Sequence, residues 1–152
     1  MHFGGCTANP DESWICQDAR NLSDAEDGFL RGKKYLLTDR DTKFSRTFRI
    51  ILDQAGVEVV RLPARSPNLN PNLERFMQSV KGECLGRMIF FGERSLQVAV
   101  TEFVIHFHAE RNHQGLGNRL IEPGEAMGRT AGDVACRERL GGILRYYYRQ
   151  AA

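Results

Sequence analysis

Two carboxylates, Asp39 and Glu74, occupy positions where acidic side chains can do chemistry. Asp39 follows the short apolar run YLLT, which ends abruptly in charged residues, as a buried strand does where it leaves a sheet. Glu74 falls in the first turn of a predicted helix, whose amino terminus favours an ionised carboxylate. Hard cations such as Mg²⁺ and Mn²⁺ prefer carboxylate oxygen, so both residues are candidate metal ligands. A glutamate that only stabilises its helix is the simpler interpretation of Glu74.

The residues after Asp39 predict a strand, a short helix and a second strand. Ser45 can cap a helix with an apolar stripe that includes Phe48, and Gly56 supplies the left-handed residue that ends it. The strand VEVVRL follows. This order predicts a parallel crossover in an α/β sheet, and sites in such sheets lie beyond the carboxyl ends of the strands. We therefore expect Asp39 at a functional edge of the sheet.

Two further helices follow. Asn70 as cap and Pro71 at the first helical position begin the helix that carries Glu74. Its buried stripe is predicted to contain Leu73, Phe76, Met77, Val80 and Cys84. Lys81 lies two turns beyond Glu74 on the same predicted face and can reach a DNA phosphate, although a solvated lysine explains it equally well. The segment SLQVAVTEFVIHFHAERN, with Ser95 as its cap, is predicted to be core scaffolding.

The two ends of the chain differ in pattern. PDESWICQDARNL predicts a helix that Asn9 caps and Pro10 opens. From Gly115 onward, repeated glycine and proline predict an extended arm with little regular structure. The closing segment ERLGGILRYYYRQAA mixes tyrosine with arginine, a combination that can stack on bases and pair with phosphates. Packing against the domain or a partner subunit is the simpler alternative for that segment.

Composition narrows the class of protein. The 152 residues fit one domain, and no run approaches the roughly 18 to 20 apolar residues of a membrane span. The start, MHFGGCTANP, has no signal-peptide pattern, so a cytoplasmic protein without a membrane partner is predicted. The four cysteines form no C-x-x-C pair, and His106 and His108 point about 200° apart on a helix, so neither zinc nor a disulfide framework is predicted.

Charge is distributed unevenly, although the formal net charge is only +2. Residues 1–30 carry one basic residue against six acidic ones, whereas residues 31–65 carry nine basic residues against four acidic ones. A basic middle can line a phosphate-binding surface, because neutralising phosphates releases condensed counterions. A merely solvated basic face remains an equal alternative.

Three segments together resemble a known family. LLTDRDTKF, RLPARSPNLNPNLERFMQSVKGECL and HFHAERNHQGLGN, in this order and spacing, are similar to insertion-sequence transposases and the related retroviral integrases. The resemblance implies an α/β, ribonuclease-H-like integrase core. In such cores a strand-end aspartate and a helix glutamate hold the metals that cut and join DNA, and Asp39 and Glu74 match that pair at a spacing of 35 residues.

The resemblance also implies a function, a cofactor and partners. It predicts DNA integration and transposition by polynucleotidyl transfer, with Asp39 and Glu74 as catalytic ligands of a two-metal Mg²⁺ or Mn²⁺ site. Mobile-element ends and target DNA are the expected partners, and a homo-oligomer is the expected assembly. The candidate DNA-contacting residues are Arg40, Lys43, Asn68, Asn70, Lys81 and Arg111.

The sequence departs from the family at its amino terminus. The family's first catalytic aspartate lies on an early strand, and HFGGC is similar to a later segment, which implies a truncated core lacking its first two strands. The expected division is a partial catalytic core at 1–114 and an extended arm at 115–152. We expect this chain alone neither to cleave nor to join DNA, and to have an exposed sheet edge and marginal stability. A non-catalytic DNA-binding or oligomerisation fragment, or an inactive product, are the alternatives.

Overall fold

The computed structural model describes residues 1–63, 69–124 and 130–150. These residues form four α-helices and two sheets of two strands each. The elements in chain order are α1 (Glu12–Leu22), β1 (Tyr35–Thr38), α2 (Arg46–Gln54), β2 (Glu58–Arg61), α3 (Pro71–Ser79), α4 (Gly92–Ala109), β3 (Val134–Arg139) and β4 (Leu144–Arg149). Two compact units result, one of His2–Glu74 and one of Arg75–Ala152 together with Met1. The mixed helices and strands agree with the α/β class in general.

The first helix begins later than the sequence pattern predicted. Asp11, rather than Asn9, is the cap of α1, and its Oδ1 accepts a hydrogen bond from the backbone N–H of Trp14 at 2.8 Å. An aspartate oxygen is as good an acceptor at this position as asparagine, so the capping signals compete and residue type alone does not choose between them. The segment HFGGC before α1 contains no strand.

The predicted strand–helix–strand unit is confirmed. β1 and β2 are parallel, and Tyr35 pairs with Glu58 in register. Ser45 caps α2 by accepting a hydrogen bond from the N–H of Phe48 at 3.2 Å, and Gly56 follows the helix with a φ of +78°. Only glycine adopts that left-handed conformation without strain, so the chain turns there into β2.

The core of the first unit lies between α1 and α2. The two helices contribute most of its buried side chains, and Leu30 and Val57 come from the segments leading into the strands. The buried residues are Ile15, Cys16, Ala19, Leu30, Phe48, Leu52 and Val57. The strand pair is covered only in part by this core.

The prediction of a buried strand at β1 was wrong. Tyr35 is 61% exposed and Leu37 is 44% exposed, whereas Thr38 is buried. In the described part of the chain β1 pairs with β2 alone, and the side chains of Tyr35 and Leu37, which lie on one face of the strand, are exposed rather than covered by another layer. An apolar run indicates what a strand prefers to bury, but it does not indicate how many neighbours are present to bury it.

α3 begins as predicted and ends differently. The side chain of Asn70 accepts a hydrogen bond from the N–H of Leu73 at 3.3 Å, which confirms it as the cap. After Ser79 the backbone widens into a π-helical turn, Val80–Cys84. Of the predicted buried stripe, Phe76, Val80 and Cys84 are buried, whereas Leu73 and Met77 are 42% and 40% exposed.

α4 begins at Gly92, immediately after Phe91, so the prediction of Ser95 as its cap was wrong. The Ser95 hydroxyl instead donates to the carbonyl of Gly92 at 2.9 Å, within the first turn. Ala99, Phe103 and His106 are its buried residues. The core of the second unit consists of Phe76, Val80, Cys84, Ala99, Phe103 and Leu144.

The irregular arm predicted from residue 115 onward is not confirmed. β3 and β4 form an antiparallel hairpin in which Arg139 pairs with Leu144. Gly141 and Gly142 form the turn of this hairpin, because their φ values of +65° and +89° lie in the left-handed region that glycine adopts without strain. Leu144 packs into the same core as α4, so the alternative that the closing segment packs against the domain holds for this residue. The domain division at residue 114 stays a prediction.

None of the helices in the described ranges combines the length and apolar character that crossing a membrane requires.

Candidate functional site

Asp39 is the first residue after β1 and is exposed. Its Oδ1 accepts a hydrogen bond from the backbone N–H of Asp41 at 3.0 Å. A bond from an aspartate side chain to the N–H two residues later closes a turn, so the chain bends directly beyond the strand. The position predicted for Asp39, at the carboxyl end of a strand, is therefore confirmed. Its role as a metal ligand stays a prediction.

Asp41 has a structural role, because its side chain binds Lys43 through two contacts. Its Oδ1 accepts the N–H of Lys43 at 3.0 Å, and its Oδ2 lies 2.9 Å from the Lys43 ammonium. The backbone hydrogen bond from Lys43 is the main cause that lowers the pKa of Asp41 below its ordinary value. Asp41 thus stabilises the turn that carries Asp39, and Lys43 is engaged within the same turn.

Arg40 links the ends of the two parallel strands. Its Nε donates to the carbonyl of Leu62, just beyond β2, at 3.1 Å. The N–H of Leu62 also donates to the carbonyl of Thr38 at 2.8 Å, so the strand pairing continues to the last residue of β1. Because the strands are parallel, β1 and β2 end at the same edge of the sheet. Asp39 and the segment leading towards Glu74 therefore leave the sheet at that common edge.

Glu74 lies in the first turn of α3, as predicted, and is exposed. Its backbone N–H donates to the carbonyl of Asn70 at 3.2 Å, which anchors it to the capped end of the helix. Asp39 and Glu74 both belong to the His2–Glu74 unit. Residues 64–68 between them lie outside the described part of the chain, and the predicted DNA contact of Asn68 falls there.

The donor types of this candidate site fit a hard divalent cation, but their number does not complete a site. Asp39 and Glu74 offer ionisable oxygen ligands. Within residues 1–63, 69–124 and 130–150, however, no group of three or more His, Cys, Asp or Glu side chains can hold a metal ion. Two carboxylates alone are too few to form a metal site, so the role of Asp39 and Glu74 as metal ligands stays a prediction.

Two other predicted DNA contacts, Lys81 and Arg111, lie in surroundings that the sequence did not predict. Lys81 is exposed but lies in the π-helical turn, where residues do not repeat at the α-helical spacing that was expected to bring it onto the face of Glu74. Arg111 forms an ion pair with Glu83 at 2.8 Å and lies 5.4 Å from the centre of the Phe107 ring. A DNA contact by either cation stays a prediction.

A buried charge cluster around Glu110 was missed by the sequence analysis. The side chain of Glu110 is 1% exposed. It accepts hydrogen bonds from His106 at 3.0 Å, from Arg137 at 3.2 Å and twice from Arg139, at 2.8 and 2.9 Å. Arg139 also donates to Glu102 at 2.7 Å. The cluster joins the end of α4 to β3.

The cluster holds Glu110 in its charged form. Burial alone would raise its pKa, but hydrogen bonds from Arg139, His106 and Arg137 outweigh burial and lower the pKa to about 2. The bond to Glu110 in turn raises the pKa of Arg139. Two sequence spacings are compatible with parts of this cluster, the i, i+4 spacing of His106 and Glu110 and the i, i+2 spacing of Arg137 and Arg139, but neither indicates that the helix and the strand pack together.

The histidines have separate partners. His106 bonds Glu110, whereas the Nδ1 of His108 lies 2.9 Å from Glu122. The Nε2 of His113 donates to the carbonyl of Phe107 at 2.8 Å. The three side chains thus serve three different contacts.

Comparison with known proteins gives one match. Residues 55–120 match the family model described as the integrase core domain, which confirms the resemblance to integrase and transposase cores over this stretch. Residues 55–120 are therefore similar to the cores of proteins that integrate and transpose DNA. The matched range includes Glu74 and excludes Asp39. No curated protein and no solved structure matches the chain.

Proposed function

We propose that this chain carries part of a DNA strand-cleavage and strand-transfer site in which Asp39 and Glu74 are two of the ligands for Mg²⁺ or Mn²⁺. The match to the integrase core over residues 55–120, with Glu74 inside it, is the observation that supports this function most strongly. The position of Asp39 at the edge where two parallel strands end adds support. When bound, a pair of such ions neutralises charge at the attacking and leaving oxygens of a phosphodiester.

DNA is the proposed partner, and the resemblance to insertion-sequence transposases supports mobile-element ends in a bacterial cytoplasm as its source. The residues proposed to contact phosphates are Arg40, Lys43, Asn68, Asn70, Lys81 and Arg111. Arg40 has the best-supported position, because its bond to the carbonyl of Leu62 fixes it beside Asp39. A cation at that point would lie next to a DNA phosphate bound at the two carboxylates.

This chain alone is proposed neither to cleave nor to join DNA. Two carboxylates give fewer ligands than a two-metal site requires, and no described group of acidic or histidine side chains completes the set. The proposed two-metal site therefore requires a third carboxylate in addition to Asp39 and Glu74. Mg²⁺-dependent strand transfer by the purified chain would refute this part of the proposal.

The assignment of Asp39 and Glu74 can be tested by extending the chain at its amino terminus with an integrase segment that carries a strand-end aspartate. Strand transfer by the extended protein is measured with Mg²⁺ and with Mn²⁺. Asp39→Asn and Glu74→Gln should each abolish transfer while leaving DNA binding in place. Asp41→Asn is the matched control, because Asp41 lies in the same turn and is engaged with Lys43. Equal loss in all three variants would contradict the assignment.

A non-catalytic DNA-binding fragment is the second candidate, and the incomplete ligand set favours it. Such a fragment binds through phosphates alone, so its affinity falls steeply with salt and is indifferent to Mg²⁺ chelation. Titration of labelled duplex DNA at several salt concentrations, with and without EDTA, separates the two candidates. Binding that requires the metal favours the strand-transfer site.

A further inference from the structure

The two most exposed large apolar side chains in the described ranges lie just before α4. Ile89 is 82% exposed and Phe91 is 86% exposed, whereas the next most exposed side chain of this kind, Tyr147, is 63% exposed. Removing apolar surface from water is favourable, so both side chains gain free energy when something covers them. Single exposed apolar residues are ordinary, but two large ones this close together are typical of a surface that binds another molecule.

The segment that carries these two residues is anchored to the core of the second unit. Met88 and Phe90, which alternate with Ile89 and Phe91, pack against that core. Met88 has the extended backbone angles φ −132° and ψ +152°, and successive side chains of an extended chain point to opposite sides. The inward packing of Met88 and Phe90 therefore directs Ile89 and Phe91 outward together. We call Ile89 and Phe91 the apolar pair.

Exposed cations lie on both sides of the apolar pair in the sequence. Lys81 and Arg87 precede it, Arg94 follows it, and all three are exposed. The Nε of Arg87 donates to the carbonyl of Gly82 at 3.2 Å, which ties Arg87 to the turn that carries Lys81. The backbone at Gly86 also passes this turn closely, since a Cβ added there would lie 2.8 Å from the carbonyl oxygen of Lys81. Two of the cations therefore belong to one compact turn directly before the apolar pair.

Positive charge is in excess around this segment. Residues 81–94 contain three basic and two acidic residues. One of the acidic residues, Glu83, is paired with Arg111 at 2.8 Å, so a fourth cation balances it. Apolar side chains between cations match a ligand in which phosphates flank an apolar layer. Duplex DNA is such a ligand, because its stacked bases lie between two phosphate backbones.

We propose that Ile89 and Phe91 insert between two stacked base pairs of duplex DNA from the minor groove and bend the duplex. The three cations bind phosphates beside that step. Phenylalanine and isoleucine are side chains that proteins use as such wedges, and an inserted wedge partly unstacks the step and kinks the duplex by about 20 to 90°. Insertion moves both side chains out of water and onto the faces of the bases. The inference rests on the proposed function only for its partner, DNA, and concerns the shape of the duplex rather than its cleavage.

Two observations favour DNA over another protein as the partner of the apolar pair. The integrase core match, residues 55–120, contains the whole of residues 81–94. A hydrophobic pocket on another protein would cover the apolar pair but would give the three exposed cations no partner. DNA supplies base faces for the apolar pair and phosphates for the cations.

Bending is measured on the full chain with EDTA present, so that the result is independent of metal binding and strand transfer. A duplex of about 30 base pairs carries a donor and an acceptor dye at its ends and a central TA step, the kind of step that unstacks most readily. Energy transfer should rise when the wild-type chain saturates this duplex.

The variant for this measurement replaces both members of the apolar pair. Ile89→Ala combined with Phe91→Ala should raise the dissociation constant about three- to tenfold and should leave energy transfer at saturation near the value of the free duplex. Val98→Ala is the matched control and should behave as the wild type, because Val98 is an apolar residue of α4 that is 53% exposed and lies outside the apolar pair.

Insertion itself is measured with 2-aminopurine in place of an adenine of the central step, because its fluorescence rises when stacking is lost. The wild-type chain should produce that rise and Phe91→Ala should not. Phe91→Leu keeps a large apolar wedge and should retain most of the rise. Far-UV circular dichroism checks that the variants are folded.

The cations have a different expected signature. Arg94→Gln should reduce the slope of log affinity against log salt concentration by about one, the contribution of one phosphate contact, whereas Phe91→Ala should leave the slope unchanged.

Duplex binding without a rise in either signal overturns the inference and leaves DNA as the partner. A bend that the double variant retains also overturns it, as does a bend that Val98→Ala removes equally, since another surface would then shape the duplex. Failure of the wild-type chain to bind any duplex overturns the inference together with the proposed DNA partner.

Discussion

At the scale of single residues, Glu110 shows why a buried carboxylate needs several hydrogen-bond donors around it. Its carboxylate is almost completely removed from water, and transferring an unpaired charge into such a place is very unfavourable. Arg139 compensates with two hydrogen bonds, and Arg137 and His106 add one each. The partners come from α4 and β3, so the charge can be accommodated only when both elements are in place.

Removing the main partner should therefore be strongly destabilising. Arg139→Met leaves Glu110 buried with fewer donors, and the free energy of unfolding should fall by about 3 to 5 kcal/mol. Arg145→Met is the control, because the ion pair of Arg145 with Glu138 is more than half exposed and such pairs contribute about 0 to 1 kcal/mol. Urea denaturation of both variants gives the comparison. Similar losses in the two would contradict the importance of the buried cluster.

The same carboxylate predicts a dependence of stability on pH. The pKa of Glu110 is lowered from 4.5 to about 2 in the folded protein, so the folded state resists protonation that the unfolded chain accepts. Its contribution, about 3 kcal/mol, is fully present above pH 5 and is lost as the pH falls towards 2. The stability difference between wild type and Glu110→Gln should shrink over this range. Urea midpoints at several pH values measure it, and a constant difference would contradict the shift.

Sequence reasoning located some of these residues and not others, for a physical reason. The strand-end position of Asp39 depends on neighbours within a few residues, and it was predicted correctly. The charge cluster joins Glu110 to Arg137 and Arg139, which are 27 and 29 residues away. Only the packing of β3 against α4 brings those side chains together, and no local pattern encodes that packing.

At the scale of elements, α3 depends on its cap. Asn70 is the cap of α3 and also a proposed DNA contact, and the two roles predict different results. Asn70→Ala removes the bond to the N–H of Leu73 and should reduce the free energy of unfolding by about 1 kcal/mol without any DNA present. Asn70→Ser keeps a capping oxygen and should retain most of the stability. If DNA affinity falls in both variants while stability falls in neither, the cap is not the main role.

The ends of helices and strands are also of two kinds: some are set by neighbouring residues in the sequence, and others depend on packing between distant elements. Ser45 and Gly56 bound α2 as predicted, because a cap and a left-handed glycine act on adjacent backbone. The hairpin of β3 and β4 was read as an irregular arm, since glycines that build a turn and glycines that break an element look alike before the strands are paired. The exposed face of β1 was likewise not predictable, because it depends on which elements cover the sheet.

At the scale of the whole molecule, the integrase core match spans both compact units. Residues 55–74 of the match belong to the first unit and residues 75–120 to the second. Each unit has its own apolar core, and the candidate carboxylates both lie in the first.

The most direct measurement of the central claim maps the metal itself. Fe²⁺ takes carboxylate ligands as Mg²⁺ and Mn²⁺ do, and with ascorbate and peroxide it cleaves the polypeptide next to where it is bound. In the chain extended with a strand-end aspartate, cuts are predicted beside Asp39 and beside Glu74, with excess Mg²⁺ suppressing both. Asp39→Asn should remove both cuts and Asp41→Asn should leave them. Cuts elsewhere, or cuts that Asp39→Asn leaves unchanged, would contradict the assignment of these two carboxylates.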